Sequence, residues 1–390
     1  MNLREKKIGF VVALDCPYGG NLIPSLEVLA RQLREHYAAQ VFWVFPRQSH
    51  RDWLERLQQS DAVYFTNPSY SQSREDLIRI FREVRPDLVH THFSHYDIAS
   101  AQAIQHLGLS TRMVWHLHCV TSYKVGHGWK GKLQTGLNCL RLYRKFGWWG
   151  RKAHLLAVSA ETARVTSLFH LWKWPSLPEI SHQELYRMQF PQCPVLINGM
   201  DMDRIRVDGE RTLQPFTFLS FGGREEIKRL DLIVLAAQKV RQRYTQNFRL
   251  LFTRGIGTEE MLHRILGTTL PDWVEIVPET DDISSIFLQS SCYISSSTTE
   301  TMSMAVAEAT LYKIPVIQSD ISGTYWNADR PSTWVFCNGD EEDLAEKMWQ
   351  VMCVEPEVMQ KRCEETYRMN CGILSLDAWC AGVTAVYEKL

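Results

Sequence analysis

Short apolar segments alternate with helical patterns along most of the chain. In the first half, the segments IGFVVAL, QVFWVFP, AVYFT, DLVHTHF, RMVWHLH and HLLAVS predict strands, and CPVLING closes the series. A helical pattern such as that of residues 22–36 lies between consecutive segments. This alternation of strands and helices predicts a parallel, doubly wound α/β sheet.

A second alternation begins at PFTFLSFGG, residues 215–223. Its strands include FRLLFTR, WVEIVP and residues 314–317, and its helices are expected at 230–244, 259–266, 283–289 and 341–354. The polar segment 202–214 is the expected linker. At 390 residues the chain suits two domains. We therefore predict two Rossmann-like domains facing a central cleft, residues 1–203 and 204–375, with a last helix, 376–390, that could pack on either.

Two carboxylates stand near the end of this series, Glu300 in a predicted loop and Glu308 in the helix that follows. Carboxylates accept hydrogen bonds from paired hydroxyls, so the pair suits a polyhydroxylated ligand. A glycosidase pair is disfavoured, because eight helical residues rise roughly 12 Å whereas hydrolytic carboxylates lie about 5 to 9.5 Å apart. The plainer alternative is a solvated Glu300 beside a helix dipole and an unrelated Glu308.

Further candidates follow predicted strands, where ligands of such sheets bind. Gly19 and Gly20 precede the first helix and would let backbone amides approach a phosphate. Gly223, Arg224 and Lys228 follow PFTFLSF, and two cations beside a helix N-terminus make a diphosphate clamp. The remaining polar residues at strand ends are Asn198, His90, His92, His116 and His118.

Charge is distributed unevenly along the chain. The net charge is −1, so no general attraction to nucleic acid is expected. Residues 98–160 nevertheless contain no Asp or Glu, and LRLYRKFGWWGRK interleaves bases with aromatic residues. This mixture predicts that residues 124–152 bind an anionic membrane surface, where each base contributes about 1 kcal/mol. Nucleic-acid binding and a basic surface helix with a half-buried aromatic face are the alternatives.

The cysteines and the hydropathy of the chain indicate the cellular compartment in which the protein is expected. The ten cysteines form no CxxC pair and no zinc spacing, which suggests reduced thiols and no metal site. The chain has no run of about 20 apolar residues that could span a membrane, and its start reads as a first strand rather than a secretory signal. We expect a cytoplasmic protein that lies peripherally on the inner face of the plasma membrane.

Taken in order, these motifs resemble the family 4 glycosyltransferases, retaining enzymes of the GT-B fold. The matching segments are YGG (18–20), PDLVHTH (86–92), MVWHLH (113–118), AVS (157–159), VLINGMD (195–201), FGGREEIKRLDL (221–232) and Glu300-x7-Glu308 followed by EATLYKIPVIQSDISG. The resemblance implies transfer of a sugar from a nucleotide sugar, expected to be a UDP-sugar, to a glycan or lipid-linked saccharide. It also implies that neither metal nor cofactor is needed.

The resemblance assigns roles to residues at the matching positions. Arg224 and Lys228 would neutralise the donor diphosphate, which is also the leaving group. Glu308 would hold the ribose hydroxyls and Glu300 the transferred sugar. The donor site would be completed by Gly19, Gly20, Asn198 and Gly223.

The histidines receive different roles. His118 matches the active-site histidine of the family and would contact the sugar near its anomeric carbon, and His92 would face the acceptor. His90 and His116 are expected to be core histidines whose alternation with His92 and His118 points them away from the cleft.

Three residues depart from the family pattern, each where a glycine is usual: Arg229, Thr301 and Lys313. The first two place bulk near the donor and leave the identity of the sugar open. A nucleotide-sugar epimerase or a phosphorylase of similar architecture is one alternative function. A catalytically silent glycan-binding or scaffolding subunit is another.

Overall fold

The computed structural model describes residues 1–14, 20–47, 52–119, 128–173, 180–205, 214–244, 247–278, 280 and 282–390. The chain divides into two compact units, residues 1–199 with 376–390, and residues 200–375. Each unit holds one six-stranded sheet, which confirms the predicted α/β fold. The last helix belongs to the first unit.

The first sheet contains β1 (Lys7–Val12), β2 (Gln40–Pro46), β3 (Ala62–Thr66), β4 (Leu88–His92), β5 (Arg112–Leu117) and β6 (His154–Ala157). Its order is β3-β2-β1-β4-β5-β6, and all its strand pairs are parallel. Its helices in chain order are α1 (Leu22–Tyr37), α2 (Asp52–Ser60), α3 (Tyr70–Val84), α4 (Asp97–Leu107), α5 (Gly128–Leu142), α6 (Ala160–His170) and α7 (His182–Arg187). A π-helical segment, Tyr143–Trp149, and a 3-10 turn, Gly150–Lys152, follow α5.

The second sheet contains β7 (Phe216–Ser220), β8 (Phe248–Thr253), β9 (Val274–Val277), β10 (Cys292–Ser295), β11 (Val316–Ser319) and β12 (Thr333–Phe336), in the order β12-β11-β10-β7-β8-β9. Its helices are α8 (Glu225–Lys228), α9 (Leu230–Arg243), α10 (Thr258–Leu266), α11 (Ile283–Leu288), α12 (Met304–Leu311), α13 (Glu341–Met352) and α14 (Pro356–Ile373). The last helix, α15 (Leu376–Glu388), returns to the first unit. None of the helices in the described ranges is long and apolar enough to cross a membrane.

Both faces of the first sheet are buried, which explains why its strands are continuous apolar runs rather than alternating patterns. Phe10 and Val12 on β1 pack on the face that α1 and α15 cover, and Val11 packs on the opposite face. The helix α15 contributes Trp379, Cys380, Val383 and Tyr387 to the first of these cores.

One predicted strand is absent, another is displaced by two residues, and one helix was missed. CPVLING is not a strand, since only Val195 forms an isolated bridge, with Ala157. The strand expected at 314–317 begins at Val316, because the Ile314 amide still bonds to Ala309 O at the end of α12 and Pro315 has no N–H. The helix α14 was not predicted at all.

Candidate active site

A partly buried ion pair joins the turn that follows β7 to the turn that follows β10. Lys228 Nζ lies 2.7 Å from Glu300 Oε1, and Ser297 Oγ donates to the same oxygen at 2.9 Å. The side chains of Lys228 and Glu300 keep 27% and 18% of their surface exposed. The predicted clamp lysine and the predicted sugar-binding carboxylate are therefore direct partners.

The serine and threonine run after β10 fixes this geometry. Ser296 Oγ donates to the carbonyl oxygens of Lys228 and Arg229, at 2.8 and 3.0 Å. The Thr298 amide donates to Ile227 O at 2.8 Å. The run therefore braces the Lys228 turn.

The Gly222–Lys228 segment is a tight turn that leads into one helical turn, α8. A Cβ on Gly222 would lie 2.3 Å from Thr253 O, and one on Gly223 would lie 3.0 Å from Lys228 Cγ. Glycine at both positions therefore lets the turn pack against β8 and lets the Lys228 side chain lie across it. Arg224 is the N-cap residue of α8, and its side chain is exposed. The segment between Arg224 and Lys228 is this single turn.

Glu308 lies on α12 with only 9% of its surface exposed. Tyr293, on β10, is buried, and its pKa is raised first by burial and then by the charges of Glu300 and Glu308. Both carboxylates of the predicted pair therefore act on one side chain, which places them at the same edge of the second sheet.

Two of the three departures from glycine occupy left-handed backbone. Arg229 has φ 50° and Lys313 has φ 55°, conformations that favour glycine. Arg229 turns its guanidinium to Asp231, with bonds of 2.8 and 3.2 Å, and this bond raises its pKa. Lys313 pairs with Glu364 at 2.7 Å. The Arg229 side chain, which was expected to add bulk near the donor, is thus bonded to the first turn of α9, the helix that it precedes.

Four histidines lie side by side in the first unit, on β4, on β5 and directly after β5. Strand alternation has a period of two, so residues i and i+2 share a face. The expectation that alternation points His90 and His116 away from the cleft, unlike His92 and His118, is therefore wrong, although both are core histidines. The ring centres of His90 and His92 are 4.1 Å apart, and those of His116 and His118 are 4.3 Å apart. A hydrogen bond of 2.9 Å joins His92 Nδ1 to His118 Nε2.

These histidines are neutral groups. His90, His92 and His116 are fully buried, and burial lowers the pKa of each well below its ordinary value. Burial lowers the pKa of His118 to about 3. The cluster therefore offers imidazoles without charge, in contrast to the ionised groups around Lys228.

The remaining candidates are placed as follows. Gly20 has φ 52° just before α1, while Gly19 lies outside the described residues. Asn198 belongs to the first unit, next to Gly199, whose carbonyl accepts a bond from Ser25 Oγ at 3.1 Å. A Cβ on Gly199 would lie 2.7 Å from Trp379 Cβ, so this segment packs closely on α15. The donor-binding roles of these residues stay predictions.

Comparison with known protein families explains the two units. Residues 25–171 match the family described as Glycosyltransferase Family 4, and residues 215–353 match Glycosyl transferases group 1. The chain carries the two domains of a GT-B glycosyltransferase. No curated protein matches this glycosyltransferase.

Solved structures share its fold at low sequence identity. Anabaena HepE in complex with UDP-glucose aligns with a TM-score of 0.74 and 14% identity, covering 99% of this chain and 100% of that one. A glycosyltransferase from Rickettsia africae aligns at 0.73 and 14%, covering 99% and 98%. The lipopolysaccharide outer core galactosyltransferase WaaB aligns at 0.63 and 15%, covering 98% and 100%. At such identities the likeness shows the fold.

Within this glycosyltransferase, the structure joins some predicted residues and adds others. It brings Lys228 to Glu300, and it brings His92 to His118. Sequence reasoning missed Ser297 and also Gly323, where a Cβ would lie 2.2 Å from Glu300 O. The glycine of the ISG sequence was the available signal for this second contact, because a glycine next to a functional loop often marks a close backbone approach.

Proposed function

We propose that this protein is a retaining hexosyltransferase that moves a sugar from a UDP-sugar to a glycan or a lipid-linked saccharide in cell-surface polysaccharide synthesis. The observation that carries the proposal is the Lys228–Glu300 pair, held at 2.7 Å on a turn that also presents Arg224. A cation that a carboxylate already orients needs little reorganisation when a diphosphate arrives, and this is the condition for effective electrostatic catalysis.

In the proposed mechanism, Arg224 and Lys228 stabilise the charge that develops on the leaving diphosphate. Glu300 holds hydroxyls of the transferred sugar, and the buried Glu308 holds those of the ribose. The leaving phosphate accepts the proton of the acceptor hydroxyl on the same face of the sugar, so the anomeric configuration is retained. Because the two cations supply the charge, we propose that turnover needs no metal.

The choice of uridine rests on similarity. Two of the similar structures are of Anabaena HepE with UDP and glucose and with UDP-glucose. Their fold covers 99% of this chain, so a uridine nucleotide is the first donor to test.

The test is calorimetric titration with UDP, GDP and ADP, in buffer that contains EDTA. We expect UDP to bind, and Glu308→Ala to weaken it at least tenfold because the ribose loses a charged partner. Glu346→Ala, which removes an exposed carboxylate from α13, is the matched control and should bind as wild type does. Folded protein that binds no nucleotide would instead favour a catalytically silent subunit.

Product analysis separates the other enzymes from a transferase. An epimerase converts the UDP-sugar without an acceptor, and a phosphorylase requires inorganic phosphate. We expect neither reaction, and we expect sugar transfer with retained configuration once an acceptor saccharide is supplied.

We also propose that α5 docks the enzyme peripherally on an anionic membrane, at the cytoplasmic face of the plasma membrane. No residue of α5 is buried. Trp129, Leu133, Leu137 and Leu140 are 73%, 59%, 45% and 66% exposed, and their spacing places them on one side of the helix. An apolar stripe of this size on a basic helix suits the headgroup layer of a bilayer.

The structure leaves fewer residues available for membrane contact than the sequence predicted. Lys145 is paired with the buried Asp97 at 2.7 Å, and Phe146 is buried, so both belong to the interior. The bases left facing solvent beside the stripe are Lys130, Lys132, Arg141 and Arg144. The first part of the predicted surface, residues 124–127, lies outside the described residues.

Vesicle co-sedimentation tests this docking. We expect salt-sensitive binding to vesicles with anionic lipid, and roughly 30-fold weaker binding for Lys130→Gln/Lys132→Gln, since each base contributes about 1 kcal/mol. Leu133→Ser should weaken binding, whereas Ile256→Ser, at a site 77% exposed in the second unit, should not. Equal binding to neutral vesicles, or binding to RNA but not to vesicles, would refute the proposal.

A further inference from the structure

Three imidazoles converge inside the first unit, and one of them, His92, is fully buried although the sequence suggested that it faces an acceptor. His90, His92 and His116 each offer a ring nitrogen, and these three atoms lie within 4.8 Å of one another. All three side chains are 0% exposed. The Nε2 atoms of His90 and His92 and both ring nitrogens of His116 have no hydrogen-bond partner in the described part of the chain.

Two of these rings are oriented by a bond from their other nitrogen. His90 Nδ1 lies 2.6 Å from Tyr387 Oη on α15, and His92 Nδ1 lies 2.9 Å from His118 Nε2. When each Nδ1 is the donor of its bond, both Nε2 atoms carry free lone pairs. Metal-binding histidines commonly donate their other ring N–H to an oxygen that fixes the tautomer, as His90 can to Tyr387 Oη.

We propose that His90, His92 and His116 form a binding site for one late first-row divalent cation, with Zn²⁺ the best match. Neutral imidazole suits Zn²⁺, Cu²⁺ and Ni²⁺, and three histidines with one open position is a common zinc set. Zinc–nitrogen bonds of about 2.1 Å require each ring to move by less than about 1 Å from atoms that lie within 4.8 Å of one another. The inference does not depend on the glycosyl-transfer proposal.

The surroundings suit a structural ion. The ring of Trp379 lies at 6.3 Å from that of His116, nearly parallel to it, so α15 supplies both a partner of one ligand and a cover over another. The cation would tie β4, β5 and α15 together, at a place where the sequence predicted no metal because its ligands come from different strands.

Zinc titration of chelator-treated full-length protein tests the site. By calorimetry and by metal analysis after desalting we expect one Zn²⁺ per chain, together with a higher melting temperature, because a ligand that binds only the folded state stabilises it. Co²⁺ should give the visible absorption of a low-symmetry, nitrogen-bound ion. His116→Gln should abolish binding, and the exposed His106→Gln and His263→Gln variants should bind as wild type does.

A second variant keeps the proposal testable if His116→Gln does not fold. Tyr387→Phe removes only the oxygen behind His90, and loss of such a partner weakens metal affinity about 10- to 100-fold. Folded wild-type protein that takes up no Zn²⁺, or a Tyr387→Phe protein with unchanged affinity, overturns the proposal. Binding that disappears in the two surface variants would assign the metal to the surface and overturn it equally.

Discussion

The two sheets have the same kind of strand order, but they present opposite chemistry at the ends of their central strands. In the first unit, the edge beyond β4 and β5 holds neutral imidazoles from which burial has removed the charge. In the second, the edge beyond β7 and β10 holds Lys228 and Glu300, paired and partly exposed. One fold therefore supplies a dry, uncharged surface and a charged, solvated one.

The difference lies in what stands behind each edge. The helix α15 covers the histidines with Tyr387 and Trp379, so a charge there would be costly. Behind Lys228, by contrast, hydroxyl groups from the Ser/Thr run hold the turn while its tip stays open to solvent. The chemistry of the first site is set by the burial of its histidines. That of the second is set by the hydrogen bonds that hold Lys228 and Glu300 in place.

The largest expected effect is acid sensitivity of the first unit. Each of the four histidines has a folded-state pKa below the ordinary 6.5, so the unfolded chain binds more protons as the pH falls below that value. Stability is then present above pH 6.5 and is lost toward the pKa of His118, about 3, by up to about 1.4 kcal/mol per histidine and pH unit.

Hydrogen exchange measured between pH 7 and 5 checks this prediction. Amides of β4 and β5 should lose protection first, and those of β7 and β10 later. A His116→Gln variant that folds should show a shallower pH dependence. Equal loss of protection in both units would mean that burial of the histidines does not set the acid response.

The second-largest expected effect concerns the placement of Lys228 at the charged edge beyond β7 and β10. Lys228→Ala removes one of two cations from the developing charge, and we expect a 100- to 1000-fold lower kcat, the range seen when one stabilising donor is lost. Lys239→Ala, which removes a lysine paired with Glu341 and in contact with neither Lys228 nor Glu300, should leave kcat unchanged. Steady-state kinetics with UDP-sugar and acceptor distinguishes the two.

A smaller loss is expected from Gly323→Ala, which changes no charge. The new Cβ would lie 2.2 Å from Glu300 O, so the Glu300 loop must move, and a 1 Å displacement of a catalytic group can cost about 100-fold in rate. Gly372→Ala on α14 is the control, since a Cβ there meets nothing within 4 Å. Wild-type kcat in Gly323→Ala would show that the charged edge tolerates displacement.

The smallest effect concerns Lys313, which lies outside both edges. Its φ of 55° costs a non-glycine residue about 1 to 2 kcal/mol, while its ion pair with Glu364 is exposed and contributes about 0 to 1 kcal/mol. Lys313→Gly should therefore raise stability slightly, by less than about 2 kcal/mol, without changing kcat. Urea denaturation measures the change, and a destabilised variant would show that the ion pair dominates.

The sequence predicted the charged edge better than the neutral one. Arg224, Lys228 and Glu300 could be singled out by their residue types, by their places after predicted strands and by the order of the motifs around them. The grouping of His90 with Tyr387 depends on a helix nearly 300 residues later in the chain, which no local pattern reveals. The strand prediction for CPVLING was wrong for a related reason, because an apolar run also fits a packed segment that forms only one bridge.

The return of α15 to the first unit has a consequence for the order of events on the ribosome. Trp379, Val383 and Tyr387 complete a core that begins with Ile8 and Phe10, yet all of residues 200–375 are synthesised in between. The second unit can therefore finish folding while the first still lacks one of its layers. During that interval the half-built first unit exposes apolar surface and its histidines to water.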